Sequence, residues 1–413
     1  MTSDADITRA GGLIAARLLE HERVMIGTLR QLVEIASHAS HPAGVAGVAD
    51  LMSRRLSALG LSCQTAAAPP LRDDLRWLAP VIFPEASYDD IADVVVARGE
   101  GTPGAPRVLL LGDLDTSYTE QAAAGFSFEL RGDTAYGPGI ADMKGGLVTL
   151  LGALWALRAT GLAAPPVTIV LSPDEQAGSL RSRPVIEREA ARCEICFCLE
   201  CARDGGRLMR SRAAAGVGLL EVSGVESHAG TARAAGVSAV RALASIILAL
   251  EDLTDPANGD YVTVGIVSGG RRRSVVPGYA SCIVDVRAET TARWQRLSER
   301  IADLAERLAP PARAVWHGAN HRPAVEQTEA AVELLATVER AGDALGIPIV
   351  TTGSAAAGSS AFAGFVGVPT IDGMGAPGGS LMTNFEYIEL PGLRERAGLL
   401  ALSLHLLTVS RPG

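Results

Sequence analysis

The sequence predicts an α/β chain of two parts, with a compact α+β domain inserted into a larger α/β domain. Three features carry this expectation. Aliphatic runs at Val108–Leu111 and Val167–Leu171 read as fully buried strands, and each empties into an acidic turn. From about 212 to 320 the order becomes strand, helix, strand, strand, helix, strand, which is that of a ferredoxin-like fold. Beyond 321 the α/β pattern returns. The chain therefore divides into a first catalytic part at 1–211, an insert at 212–320 and a second catalytic part at 321–413. With 413 residues, 48% of them hydrophobic, there is apolar material for both cores.

Taken in order, residues 1–10 read as frayed, and Leu13–Ala36 carries the spacing of an amphipathic helix. His38 and His41 fall in a loop and read as loop polar groups. Val45–Leu59 is a second helix, stopped by Gly60. The strand at 108–111 runs into Gly112-Asp-Leu-Asp-Thr116, which sets Asp113 and Asp115 on one face at its end. The glycines of Ala135–Gly146 let backbone pass close to a neighbour, and Asp142 precedes a helix at Leu147–Thr160. Val167–Leu171 leads to Asp174, Glu175 and Gln176, followed by a helix that ends near Arg192. Ile195–Glu200 is another strand with an acid at its end.

In the insert, strands are expected at Gly218–Val225, Val262–Val267, Tyr279–Val286 and Arg313–Trp316, with helices at Gly236–Leu253 and Thr291–Leu308. A helix at Thr328–Leu345, a small-residue loop at Gly353–Ala361, a strand from Val368 and a helix at Glu389–Val409 complete the chain. Adjacent acids such as Asp174 and Glu175 repel when both are buried and ionised, so a cation or a shared proton is expected beside them. Carboxylates gathered at so many strand ends and helix starts mark a site.

Composition narrows the function. A net charge of −9 argues against nucleic acid or an anionic membrane as partner. No run reaches the ~18 apolar residues of a membrane span. The polar, acidic start is unlike a secretory signal, so a cytoplasmic location is expected. Four of the six cysteines lie within Cys193–Cys201. On an extended strand they alternate between faces and cannot converge on one zinc, so they read as small buried hydrophobes; Cys201 borders Glu200.

Taken together the motifs resemble the di-zinc metallopeptidase and amidohydrolase family of glutamate carboxypeptidase, aminoacylase, acetylornithine deacetylase and succinyl-diaminopimelate desuccinylase. Gly112–Thr116 resembles Gly-His-x-Asp-Thr except at the histidine. Tyr136–Gly146 matches Tyr-Gly-Pro-Gly-x-x-Asp-x-Lys-Gly-Gly in full. Asp174–Ser179 resembles Asp-Glu-Glu-x-Gly-Ser except at the second glutamate, Glu200 is the strand-end acid, and Gly378–Tyr387 resembles the final motif except at its histidine. The resemblance implies a zinc-peptidase-like catalytic domain, a mixed sheet flanked by helices, with a lid and dimerisation insert, hence a homodimer. His228, in Ser227-His-Ala-Gly230, resembles the histidine that reaches into the partner subunit's site.

The departures are concentrated at the metal. The five family ligand positions read Asp113, Glu200, Gln176, Met382 and Asp142 here, so three have changed. Gln176 is a weak zinc ligand, and the Met382 thioether suits softer ions; the resemblance makes these two lost ligand positions, with Met382 as filler in the vacated pocket. Two zincs are therefore not expected. Asp113, Asp142 and Glu200 would suit one hard cation, Mg, Mn or Ca. Without any metal, close carboxylates must share protons. Glu175 keeps the family's general-base position, and Lys144 is retained as a local positive charge.

Arg287 and Arg322 resemble residues that grip a substrate carboxylate. Arg271-Arg-Arg273 and Ser274 lie where a lid loop would approach the site. Ser359 and Ser360 replace a segment that usually carries an aspartate. Asp115 and Lys144 complete the candidate set around Glu175, Asp142 and Glu200. Three functions fit: a repurposed enzyme using Glu175 as acid/base on a small amino-acid-like substrate without zinc, a hydrolase with one hard cation, and a non-catalytic ligand-binding relative.

Overall fold

A computed structural model describes residues 3–83, 88–203 and 205–409. At its centre is a six-stranded mixed sheet in the order 62–66, 94–99, 167–172, 108–113, 195–198, 370–371. The strands from 167–172 to 370–371 run parallel to their neighbours, and 62–66 and 94–99 are antiparallel. Alternation along the strands feeds two cores. Val108, Leu110, Ile169, Leu171, Ile195 and Phe197 face helices Asp4–Val33, Gly145–Thr160, Glu329–Leu345 and Leu390–Val409. Leu109, Leu111, Val170, Cys196 and Cys198 face helices Arg183–Ala190 and Ser360–Phe365. The four cysteines of 193–201 are thus buried packing groups, Cys63 is half-buried, and all six cysteines are free.

Helix Gly145–Thr160 is apolar on every side because it lies between the sheet and other helices. The apolar stretch from Ile140 is long enough to span a membrane, yet 89% of its most apolar part is buried, so it serves as a core helix. Helix Asp4–Val33 begins earlier than the sequence suggests. Ser3 caps it by accepting from the Asp6 N–H, and Asp4 and Asp6 complement the dipole of the first turn, so residues 4–10 are helical rather than frayed.

The insert has its own antiparallel sheet, ordered 261–269, 279–288, 214–223, 313–322, and two helices, Ala239–Glu251 and Thr291–Leu308. Leu220, Ile246, Leu250, Val284, Val286, Trp294 and Ile301 form its separate core. Its last strand continues to Arg322, six residues beyond the expected Trp316, and so carries the chain back to the catalytic domain. Among the small sheets that were not foreseen, 351–354 pairs parallel with 208–212, and an antiparallel sheet joins 378–379, 387–389, 134–136 and 129–131, tying the glycine loop to the final motif.

Candidate active site

Parallel pairing sets Asp113 opposite Ser172, so two strand ends open onto the same loop. Asp115 shapes that loop by accepting from the backbone N–H groups of Glu175 (2.9 Å) and Gln176 (2.8 Å). Gly178, at φ 89°, allows the tight turn that follows. Asp174 accepts from the N–H groups of Arg181 and Ser182, at 3.0 and 3.3 Å. The adjacent acids therefore diverge: Asp174 serves its own loop, and Glu175 joins the site.

Asp113, Glu175 and Glu200, all buried, bring carboxylate oxygens within 4.8 Å of one another. The sequence had grouped Asp113 and Glu200 with Asp142. Asp142 falls outside this set, and its loop is held by Glu386, which accepts from the Ala141 and Asp142 N–H groups at 2.8 and 3.0 Å. Burial and the charges of Glu200 and Glu175 still push Asp142 well above the usual carboxylate range. Burial, then Glu175, Glu200 and Asp115, does the same to Asp113. Glu200 is pushed up to about 7 by burial, with Arg212 opposing.

Two buried arginines balance these acids. Arg322, only 4% exposed, donates to Glu175 Oε1 (2.8 Å), to the Glu175 carbonyl (2.7 Å) and to Ser179 Oγ (2.9 Å). Its donors thus face the interior, where the sequence reading had a grip on substrate. Arg212 donates to Asp372 at 2.6 Å, and its Nη2, otherwise without a hydrogen-bond partner, lies 3.9 Å from Glu200. The Ser359 hydroxyl donates to Asp113 at 3.3 Å, and that of Ser360 to Asp372 at 2.5 Å.

Gln176 is committed on both sides of its amide: Nε2 donates to Glu175 Oε2 at 3.1 Å, and Oε1 accepts from the Ser117 hydroxyl. Met382 does not fill a vacated pocket. It is 60% exposed at φ 60°, and its N–H donates to Glu386 at 3.2 Å. Lys144 is buried and donates to the Ile35 carbonyl at 2.7 Å, and burial lowers its pKa to about 7. His228, Arg273 and Ser274 are exposed and gather on an arm of the insert where 227–228 pairs with 275–276. Arg287 donates to Asp285 and to the Ala355 carbonyl, and lines a cavity of about 540 Å³ with Arg210, Asn258 and Tyr261. Cys201, fully buried, donates to the Ala202 carbonyl.

A model of peptidase family M20/M25/M40 matches residues 109–405. The chain belongs to that family. Carboxypeptidase G2 of Pseudomonas sp. is 28% identical over 74% of this chain and 75% of its own. A succinyl-diaminopimelate desuccinylase of Erythrobacter litoralis is 24% identical over 65% and 73%. Among solved structures, aminopeptidase PepT of Bacillus cereus superposes with TM-score 0.75 at 15% identity, covering 94% of this chain and 98% of its own. The Bacillus subtilis YXEP protein, a dinuclear metal binding peptidase of the same family, superposes with TM-score 0.66 at 16% identity, covering 94% and 99%. These likenesses establish the fold, a catalytic α/β domain carrying an inserted α+β domain.

Two side chains near the site are poor zinc ligands: the Gln176 amide is already bound to Ser117 and Glu175, and Met382 is an exposed thioether. The all-carboxylate set of Asp113, Glu175 and Glu200 fits a single hard cation by chemistry. Sequence reasoning missed Arg212, Asp372, Glu386 and Ser117. Glu386 falls within the final motif Gly378–Tyr387, which marked its segment but not its backbone partners, and nothing near Arg212 pointed to Asp372.

Proposed function

We propose that this M20-family chain acts on a small, carboxylate-bearing, amino-acid-like substrate by proton transfer, without a paired zinc centre, and with Glu175 as acid/base. The observation that carries this reading is the commitment of Gln176 to Ser117 and Glu175, which leaves a neutral, occupied amide at that position. An ionised carboxylate has about four acceptor sites. Arg322 and Gln176 take one on each Glu175 oxygen, so the group is oriented yet can still take up a proton. Asp113, Asp142 and Glu200 hold protons more firmly than free acids, mainly through burial, and are the neighbouring donors. A fixed base beside neutral acids suits cyclisation, elimination, isomerisation or acyl transfer.

Relatives named carboxypeptidase and desuccinylase support an amino-acid-derived substrate. Arg287, with Arg273 and Ser274 on the insert, would receive its carboxylate when the insert closes. Edge strand Tyr261–Gly269, with Ile266 and Val267 each 58% exposed, and Leu248, 71% exposed on helix Ala239–Glu251, support a homodimer through the insert.

The test pairs elemental analysis with turnover of a panel of N-acyl amino acids. The expected result is less than stoichiometric divalent metal, activity that survives chelation, and a loss of at least about 100-fold in Glu175→Gln. Two zincs per chain with turnover abolished by chelation would overturn the proposal. The convergence of Asp113, Glu175 and Glu200 favours a second reading, amide hydrolysis with one Mg, Mn or Ca ion. A cation held there would polarise a substrate carbonyl. One equivalent of such an ion, required for turnover, would select this second reading.

A further inference from the structure

We infer that Arg322 is a built-in counter-cation for Glu175, a positioning residue that keeps divalent ions from the Glu175 carboxylate. The inference deepens the zinc-free reading proposed above and rests on it.

Arg322 is held from several sides. Its Nη1 donates to Ser179 Oγ, its Nη2 to both the carbonyl and the carboxylate of Glu175, and its Cζ lies 5.1 Å from the ring centroid of Phe362. Phe362 is itself fully buried, and Arg183 packs against the same ring at 5.2 Å. Arginine cannot lose its proton in such a setting, so its charge is permanent. A divalent ion approaching Glu175 meets that charge at short range in a water-poor pocket, where repulsion is weakly screened.

Gln176 completes the enclosure from the other oxygen. Its amide nitrogen must face Glu175, since the alternative would set its oxygen against a carboxylate, and Ser117 then donates to the oxygen that remains. A glutamate here would repel Glu175 unless an ion lay between them. Glutamine turns that repulsion into a hydrogen bond. The carboxylate cluster thus carries fixed positive charge of its own, and Arg212 repeats the arrangement at Glu200 from 3.9 Å.

The experiment measures Mn²⁺ binding to the full chain, by electron paramagnetic resonance and calorimetry, for wild type, Arg322→Met, Arg322→Gln and Arg322→Lys. Removing the charge is expected to tighten Mn²⁺ binding by at least about tenfold in the Met or Gln variant, while Lys stays near wild type. Unchanged affinity in a neutral variant that circular dichroism shows to be folded would overturn the inference. Should both neutral variants fail to fold, phenylglyoxal mapping of the wild type decides. Protection of Arg322 supports the inference, and modification as fast as at exposed Arg273 overturns it. The two readings fail separately. Tight stoichiometric Mn²⁺ in the wild type, if turnover requires it, selects the single-cation reading; the counter-cation inference survives that outcome if Arg322→Met still gains affinity and fails with it if it does not.

Discussion

Glu386 is buried beneath the glycine loop and accepts from three backbone N–H groups, those of Ala141, Asp142 and Met382, and from the Tyr118 hydroxyl at 2.6 Å. Removing it would leave the buried Ala141 and Asp142 N–H groups unsatisfied, while the Tyr118 hydroxyl keeps the Thr383 carbonyl at 2.7 Å. Glu386→Ala is therefore expected to lower stability by about 3 kcal/mol in urea unfolding, with Glu386→Gln milder because one acceptor oxygen remains. His321 makes a different residue-scale prediction. Burial, and after it the charges of Arg322, Arg183 and Arg287, lower its pKa from 6.5 to about 3, and its Nδ1 has no hydrogen-bond partner. Between these values the unfolded chain binds a proton that the folded chain refuses. This part of the stability is thus intact above pH 6.5 and is lost as pH falls toward 3. In His321→Asn the urea midpoint should fall less steeply across that window, while its pH dependence above 7 should match wild type.

At the scale of elements, the site depends on close contact between the start of helix Gly145–Thr160 and the end of strand 195–198. A Cβ on Gly146 would lie 2.0 Å from the Leu199 carbonyl oxygen, which is backbone and cannot swing aside. Gly146→Ala should cost about 3 kcal/mol and displace Glu200, seen as a lower denaturant midpoint. Much of this level was legible in the sequence. Aliphatic runs ending in acids located Asp113, Asp115, Asp174, Glu175 and Glu200, because a buried strand must surface where its apolar run stops. Helix Thr291–Leu308 was expected at the bounds it has, and Thr290 caps it by accepting from the Arg293 N–H. The partners were not legible. Arg212 meets Asp372 across 160 positions, and Arg322 meets Glu175 across 147, and nothing local to either residue encodes the meeting. Strand 313–322 ran past its expected end because residues 317–322 continue the ladder, partly opposite strand 214–223, without the alternation that marks a half-buried strand.

At the scale of the whole molecule, the proposed pairing through the insert makes its own prediction. Ile266→Lys and Leu248→Glu each place charge on an apolar face that would lie against the second copy. Both variants should remain folded by circular dichroism and elute as monomers in size exclusion with light scattering, where the wild type elutes as a dimer. The layered construction of the catalytic domain has a further outcome during synthesis. Helix Gly145–Thr160 packs against both Asp4–Val33 and Leu390–Val409, and the last of these emerges from the ribosome only after the insert has been made. The insert owns a separate core and can form while the nascent chain is still growing, whereas the apolar faces of Leu147, Leu150, Leu151 and Leu157 wait for their final cover. Until translation ends, that greasy surface is exposed, so a chain halted before Leu390 should be captured by chaperones or precipitate.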